Sequence, residues 1–245
     1  MPIDLGSTGV TGVHVSVVEA LRDWYGLEKR RVKVHEPYQM LGIIDEDLKQ
    51  IVGVDVDGVF PAITNLGFPA GEWKEWTTPW GQDVLVPRKF EVARDEDDNY
   101  LLFPQGDRNA PPSAKMPSGG YFFDALIRQP PIEEEELDPS DNLEEFPRFS
   151  EADIVHFVTE IKQSHSRSRG VVVNFGGTGF GDIARVPGIG LKHPKGIRDV
   201  TEWYISTLTR QDYIHAVFER QLEIAIANLS DVYDKFEEDP EVVFV

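Results

Sequence analysis

The sequence predicts an α/β protein that comprises about five of the eight strands of a (β/α)8 barrel, together with an antiparallel β insertion. First, strand and helix patterns alternate near both ends of the 245-residue chain, which is typical of parallel βαβ units. Second, the β-branched run Val171–Val173 suits a strand buried on both faces, and glycines follow at its carboxyl end, where α/β folds bind ligands. Third, residues 241–245 begin a strand at the very end of the sequence. We therefore expect three barrel strands to be missing; a complete doubly wound sheet of five strands is the alternative.

Predicted strands and helices follow one another closely before residue 66. Together with the later chain, they give five expected scaffold strands, near Ile3, Val32, Val56, Val172 and Val243. A helix from residue 13 to Tyr25 is predicted by apolar residues at helical spacing. These residues are Val13, Val17, Leu21 and Trp24. A second helix, 45–52, carries acids in its first turn, where the helix dipole favours them.

The region from Leu66 to Phe149 has no convincing long helix, and we interpret it as an antiparallel insertion. The expected organisation is a single partial-barrel domain over residues 1–245 with this insertion, 66–149, inside it. Short apolar runs separated by turn residues predict two hairpins within the insertion. The hairpins are 73–77 with 84–86, and 90–93 with 100–103.

The scaffold resumes at Ser150, where Ser150–Asp153 forms a capping box that opens a helix to about Ser164. A further helix is expected to begin near Asp199. Thr209 is expected to cap a long final helix whose apolar residues form one stripe. The stripe comprises Ile214, Val217, Leu222, Ile226 and Leu229.

Composition excludes several classes of function. The formal net charge of −19 argues against a nucleic-acid partner, because binding a phosphate backbone needs a cationic surface. No apolar run approaches the roughly 18 residues of a membrane span, and Met1 begins no signal-peptide pattern. The sequence has no cysteine, which excludes disulfides and thiolate metal sites within it and favours a cytoplasmic location.

Polar and glycine residues near the ends of two predicted strands are candidate substrate-binding groups. The candidates are Asp4 in the first strand, Ser7 and Thr8 in the loop after it, Asn174, Gly176, Gly177 and Asp182 after Val171–Val173, and Lys192 with His193 in the next turn. Glycine lets a backbone approach a ligand closely, and a basic pair is suited to a carboxylate. The alternatives are that the Asn and Asp side chains bond only loop backbone, that the basic turn is solvated, and that Asp4 pairs with a lysine.

Two further patterns have simpler interpretations. Gly179–Ala184 matches a dinucleotide-binding G-x-G-x-x-A motif, but Pro187 breaks any helix that follows, so the context excludes such a site. Trp73, Trp76 and Trp80 cluster in the first hairpin and are suited to stacking on a flat ligand. Packing of the insertion is the alternative role for these rings.

Four segments of the scaffold carry a family resemblance. They are Pro2–Gly6, Leu48–Asp55, Phe175–Gly181 and Thr207–His215. In their order and spacing the chain resembles the uroporphyrinogen decarboxylase superfamily, which includes the decarboxylase and the cobalamin- or corrinoid-dependent methyltransferases built on the same barrel. The resemblance covers most of the scaffold but not the insertion. It implies a (β/α)8 barrel of uroporphyrinogen decarboxylase type and a small-molecule, tetrapyrrole or corrinoid substrate.

The chain departs from the decarboxylase pattern at three places. Decarboxylases carry an arginine-containing motif after the first strand, whereas the loop Ser7–Gly12 has no arginine. The aspartate expected after the strand at Val56–Phe60 and the tyrosine expected near residues 184 and 185 are also absent. These departures favour the methyltransferase branch, which implies zinc held by later barrel strands and a corrinoid as methyl carrier, with a corrinoid protein as partner.

Two alternatives to methyl transfer stay open, and the catalytic residues stay unassigned. Decarboxylation of uroporphyrinogen in porphyrin biosynthesis is the alternative enzyme activity. A non-catalytic tetrapyrrole- or corrinoid-binding module built on the tryptophan hairpin is the alternative from another class. Because the later strands would hold the zinc ligands, this chain by itself is expected to be inactive.

Overall fold

The computed structural model describes residues 2–167, 169–175, 179–236 and 242–244 and confirms a mixed α/β architecture. The strands are β1 (Val13–His14), β2 (Val32–Glu36), β3 (Leu41–Gly42), β4 (Val56–Val59), β5 (Trp73–Thr77), β6 (Asp83–Pro87), β7 (Val92–Arg94), β8 (Tyr100–Leu102), β9 (Ala114–Met116), β10 (Asp124–Ala125), β11 (Gly170–Val173) and β12 (Val242–Phe244). The α-helices are α1 (Val15–Trp24), α2 (Glu46–Val52), α3 (Glu151–His165), α4 (Val200–Thr209) and α5 (Gln211–Tyr233). Short 3₁₀ helices lie at Pro104–Gly106, Glu134–Glu136 and Pro139–Leu143. In these described ranges, no helix combines the length and the apolar character needed to cross a membrane.

A parallel sheet of three strands, in the order β12-β11-β4, forms the scaffold. The chain between β4 and β11 contains strands β5–β10 before helix α3, whereas α4 and α5 connect β11 to β12. Phe157 and Ile161 of α3 pack against the buried side chains Val171 and Val173. This arrangement confirms the strands predicted near Val56, Val172 and Val243.

The first predicted strand is only an extended segment. The structure assigns no strand to residues 2–6, but the Asp55 N–H donates to the carbonyl oxygen of Ile3 at 2.9 Å. The segment therefore lies beside the residue that precedes β4.

The prediction that the strand near Val32 belongs to the parallel scaffold is wrong. Strand β2 lies in a separate mixed sheet of order β1-β3-β2-β6-β5, where Val32 pairs in parallel with Val84 of the insertion. The sequence around Val32 alternates apolar and polar residues, which suits a sheet with only one covered face rather than a doubly buried parallel sheet. None of the described sheets closes into a barrel.

The insertion contains the two predicted hairpins and shares a core with the chain before it. Strands β5 and β6 pair antiparallel, as do β7 and β8, and the second hairpin continues through β9 to β10. Phe68, Phe90 and Met116 of the insertion pack in one buried cluster with Val15 and Val34. The insertion is therefore built onto residues 13–48 rather than appended at the surface.

Helices α1 and α3 show how local sequence sets an element and its buried face. The predicted capping box of α3 is confirmed, with Ser150 N–H donating to Asp153 Oδ2 at 2.9 Å and Asp153 N–H donating to Ser150 Oγ at 3.3 Å.

Helix α1 is also confirmed, but its predicted buried face is wrong, because Val17 is exposed and Trp24 is 83% exposed. The prediction counted Val13 as helical, whereas Val13 lies in β1, and this displaced the expected face.

The start and the stripe of α5 also differ from the prediction. Thr209 ends α4, where its hydroxyl donates to Ile205 O at 3.0 Å, and it does not cap α5. The buried face of α5 consists of Ile214, Val217, Gln221, Asn228 and Val232. Asn228 is buried because its side chain bonds the backbone of residues 147 and 149, so Leu222, Ile226 and Leu229 are left on the exposed side.

Candidate functional site

Asn174 joins the ends of β4 and β11 to the N-terminal loop. It follows β11 directly, and its backbone N–H donates to Val59 O at 2.8 Å. Its side-chain amide donates to Val59 O at 3.0 Å and to Ser7 O at 2.9 Å. The side chain therefore bonds backbone, as asparagine commonly does, and it fixes the N-terminal loop at the carboxyl edge of the sheet.

Asp4 and Ser7 lie beside Asn174 in a tight arrangement. The Ser7 N–H and hydroxyl donate to the two carboxylate oxygens of Asp4, at 3.1 and 2.5 Å, and Ser7 is only 1% exposed. The loop crosses β4 at Gly58, where a Cβ atom would lie 2.2 Å from Ser7 O. Glycine at this position is what permits the close approach. The structure thus brings together three predicted residues, and their contact with a ligand stays a prediction.

Thr8 closes the same loop on itself. Its hydroxyl lies 3.1 Å from the Thr11 hydroxyl, its N–H donates to Thr11 Oγ1 at 3.2 Å, and the Gly6 N–H donates to Thr11 O at 2.9 Å. The loop contains no basic side chain. It offers neutral hydroxyl and amide groups, rather than cations, to this edge of the sheet.

His35 lies at the same edge, although no sequence pattern selects it. The register between β2 and β3 shifts between Val34 and Glu36, which marks a β-bulge at His35. The His35 ring packs on Phe60, which follows β4, with ring centroids 4.9 Å apart. Burial lowers the pKa of His35 to about 4, so the imidazole is neutral at physiological pH.

Glu36 and Arg185 form the charged part of this edge. The Glu36 carboxylate accepts the backbone N–H groups of Tyr38 at 3.1 Å and Gln39 at 2.7 Å. Burial raises the pKa of Glu36, while these hydrogen bonds and the charge of Arg185 oppose the rise. Arg185 donates to Asn65 Oδ1 at 2.7 Å, on the segment that follows β4. Sequence patterns could not find these two residues, because they belong to no motif.

The glycine-rich loop is described only in its second half. Gly176 and Gly177 lie outside the described residues. Asp182 is exposed and accepts the Ala184 N–H at 3.0 Å. It borders a crevice of about 30 Å³ beside Trp203 and Phe218, which has room for water but not for an organic ligand.

The predicted basic turn is attached to the insertion. Lys192 donates to Asp107 Oδ2 at 2.7 Å, and Arg128 donates to the carbonyl oxygens of Gly188 and Leu191, each at 2.6 Å. His193 is exposed. The charge of Lys192 is thus balanced by a carboxylate of the protein.

The tryptophans of the first hairpin mainly pack within the insertion. Trp76 lies 5.0 Å from Phe90 and Trp80 lies 5.1 Å from Tyr121, measured between ring centroids. All of these tryptophans are partly buried, including Trp73, which lies under the Lys33 ammonium group. These contacts account for the rings without a ligand.

The chain offers no set of zinc ligands in its described portion. It has no cysteine, and the described residues contain no group of three or more histidine, aspartate or glutamate side chains placed to hold a metal ion. Comparisons with protein families, with curated proteins and with solved structures gave no match to this chain.

Proposed function

We propose that this chain is part of a uroporphyrinogen decarboxylase-like barrel enzyme of the methyltransferase branch, which passes a methyl group to or from a corrinoid. The observation that supports it is the gathering of polar side chains at the carboxyl ends of the paired parallel strands β4 and β11, because barrel enzymes bind substrates at such strand ends. Asn174, Ser7 and Asp4 are brought to this edge by the scaffold. The cytoplasmic location expected from the sequence belongs to the same proposal.

The proposed fold is a (β/α)8 barrel of which the scaffold supplies neighbouring strands. Two features favour it. The strands β4, β11 and β12 are parallel neighbours in one sheet and follow in this order along the chain, with the insertion between β4 and β11. Helix α5 leaves Leu222, Ile226 and Leu229 exposed, which gives an apolar surface on which a further β/α unit can pack.

The zinc of the methyltransferase branch does not fit the residues of this chain. No cysteine is available, and no three-ligand group exists among the described side chains. The proposal therefore assigns the zinc ligands to barrel strands outside this sequence, and it assigns to this chain the binding and orientation of the substrate.

The decarboxylase activity is the weaker enzyme candidate. Its substrate carries eight carboxylates, which need several cations at the strand ends. The closed loop around Thr8 has no cation, and Lys192 is already paired with Asp107. The single positive charge of Arg185 cannot balance the negative charges of these eight carboxylates.

A methyl-transfer assay tests the proposal directly. The full-length protein is loaded with zinc and mixed with methylcobalamin and a panel of thiols, and demethylation is followed by absorbance. Demethylation that depends on thiol and protein is expected. Absence of turnover with every thiol, or release of carbon dioxide from uroporphyrinogen, would overturn the proposal.

A further inference from the structure

We propose that the aromatic cluster of His14, Trp80 and Tyr121 binds a small quaternary ammonium ion such as choline. The cluster lies where the start of α1 meets the turn between β5 and β6 and the loop before β10. This inference goes beyond the methyl-transfer proposal and does not depend on it.

The loop before β10 holds two neighbouring aromatic residues in solvent. Tyr121 is 53% exposed and Phe122 is 54% exposed. The loop is nevertheless fixed on both sides, because His14 Nε2 donates to Tyr121 O at 2.9 Å and the N–H of the buried Phe123 donates to Tyr38 O at 2.8 Å. An exposed apolar patch of this kind marks a binding surface.

The three rings of the cluster are close enough to act together on one cation. Their centroids lie 5.2 Å apart for His14 and Trp80, 5.1 Å for Trp80 and Tyr121, and 6.1 Å for His14 and Tyr121. A cation about 4 Å above the centre of this triangle would lie about 5 Å from each centroid, and a ring attracts a cation within roughly 6 Å. Trp80 packs on the core from one side, but none of the three residues is fully buried. The cluster is therefore open to a ligand from solvent.

The tilt and the hydrogen bonds of the rings favour a quaternary ammonium ion over other ligands. Interplanar angles of 44, 31 and 73° provide no single flat surface, so a planar ligand would stack on one ring only. The ring nitrogens are already engaged, since Ser16 N–H donates to His14 Nδ1 at 3.3 Å and Trp80 Nε1 donates to Gln82 Oε1 at 3.0 Å. A primary ammonium group is strongly hydrated and needs hydrogen-bond acceptors, whereas a quaternary ammonium group donates no hydrogen bond. An anion would be repelled by the ring faces and by the net charge of −19.

Isothermal titration calorimetry of the 245-residue chain with choline tests this site. The control ligand is 3,3-dimethylbutan-1-ol, which has the shape of choline with a neutral carbon in place of the nitrogen. A salt concentration of about 0.15 M screens the general attraction of cations to an acidic protein. Choline is expected to bind about 10-fold more tightly than the neutral alcohol. Equal binding of the two, or binding of neither, would overturn the proposal.

Matched variants test whether the cluster is the site. Tyr121→Leu removes one ring and should weaken choline binding by about 10-fold, whereas Tyr121→Phe keeps the ring and should bind as the unmodified protein does. Tyr204→Leu is the control, since Tyr204 on α4 is 55% exposed and lies outside the cluster. Equal losses of affinity in the two leucine variants would overturn the proposal.

NMR of the indole groups provides a second readout on the unmodified protein. Choline should shift the Nε1–H resonance of Trp80 and leave that of Trp24, which is 83% exposed at the other end of α1, unchanged. Equal shifts at both tryptophans would show unspecific binding to exposed rings and would contradict the site. If Tyr121→Leu fails to fold, the ligand comparison and this shift decide the question.

Discussion

Replacing Gly58 by alanine should detach the N-terminal loop from the scaffold. Gly58 lies in β4 directly beneath Ser7, and an alanine Cβ would stand 2.2 Å from the Ser7 carbonyl oxygen and 2.7 Å from its carbonyl carbon. These neighbours are backbone atoms, so no side-chain rotation relieves the clash. The loop must move away, and the hydrogen bond from Asn174 to Ser7 must lengthen or break.

The expected cost can be assembled from two contributions. Overpacking of a tight contact costs about 1–3 kcal/mol. Loss of one hydrogen bond adds about 0.5–1.5 kcal/mol. Gly58→Ala should therefore lower the free energy of unfolding by about 2–4 kcal/mol, which corresponds to several degrees in Tm for a chain of this size.

Urea denaturation followed by circular dichroism measures this change. Gly9→Ala is the matched control, since Gly9 lies in the same loop and an added Cβ there would meet no atom within 4 Å. The control should stay within about 0.5 kcal/mol of the unmodified protein. A Gly58→Ala variant as stable as the control would refute the close approach of the loop to β4.

Three other predictions concern single contacts. Ser150→Ala removes the cap of α3 and should lower the free energy of unfolding by about 1 kcal/mol in urea denaturation; no change would contradict the capping role. Burial lowers the pKa of His35 from 6.5 to about 4, so the unfolded chain binds a proton before the folded protein does, and stability should fall as pH falls from 6.5 towards 4. An NMR titration of the His35 ring with a midpoint near 6.5 would contradict this. Arg198→Met leaves Glu145 buried without its partner and should destabilise by about 3–5 kcal/mol, and adding Glu145→Gln should recover part of the loss. A loss below 1 kcal/mol in the single variant would show that the ion pair is not required.

Sequence patterns predicted the central strand of the scaffold but not its burial. The run Val171–Val173 pairs in parallel on both sides, yet only Val171 and Val173 are buried and Val172 is half-buried, so the predicted burial on both faces is wrong. The strand near Val32 alternates instead, and tertiary pairing with β6 decided its sheet. Local periodicity contains no information about which distant strand supplies the partner edge.

The buried face of α5 was predicted incorrectly for a related reason. The predicted stripe counted apolar residues only, whereas Asn228 is buried because its side chain forms hydrogen bonds with the segment that leads into α3. Such a contact depends on a segment about 80 positions away in the chain. An apolar pattern cannot anticipate it, and so the exposed residue Ile226 was assigned to the wrong face.

The candidate site was predictable in part. Asn174 and Ser7 follow predicted strands and Asp4 lies in one, and parallel strands bring their carboxyl ends together. His35 and Arg185 were not predicted, because they belong to no motif and only the tertiary fold places His35 against Phe60 and Arg185 against Asn65.

A ligand is expected to bind at the carboxyl edge of β4 and β11. Two-dimensional ¹H–¹⁵N NMR of the chain titrated with methylcobalamin tests this site most directly. Shift changes are expected at the amides of Ser7, Phe60 and Asn174. Changes confined to the indole resonances of Trp73 and Trp76 would contradict it and would favour a binding module built on the insertion.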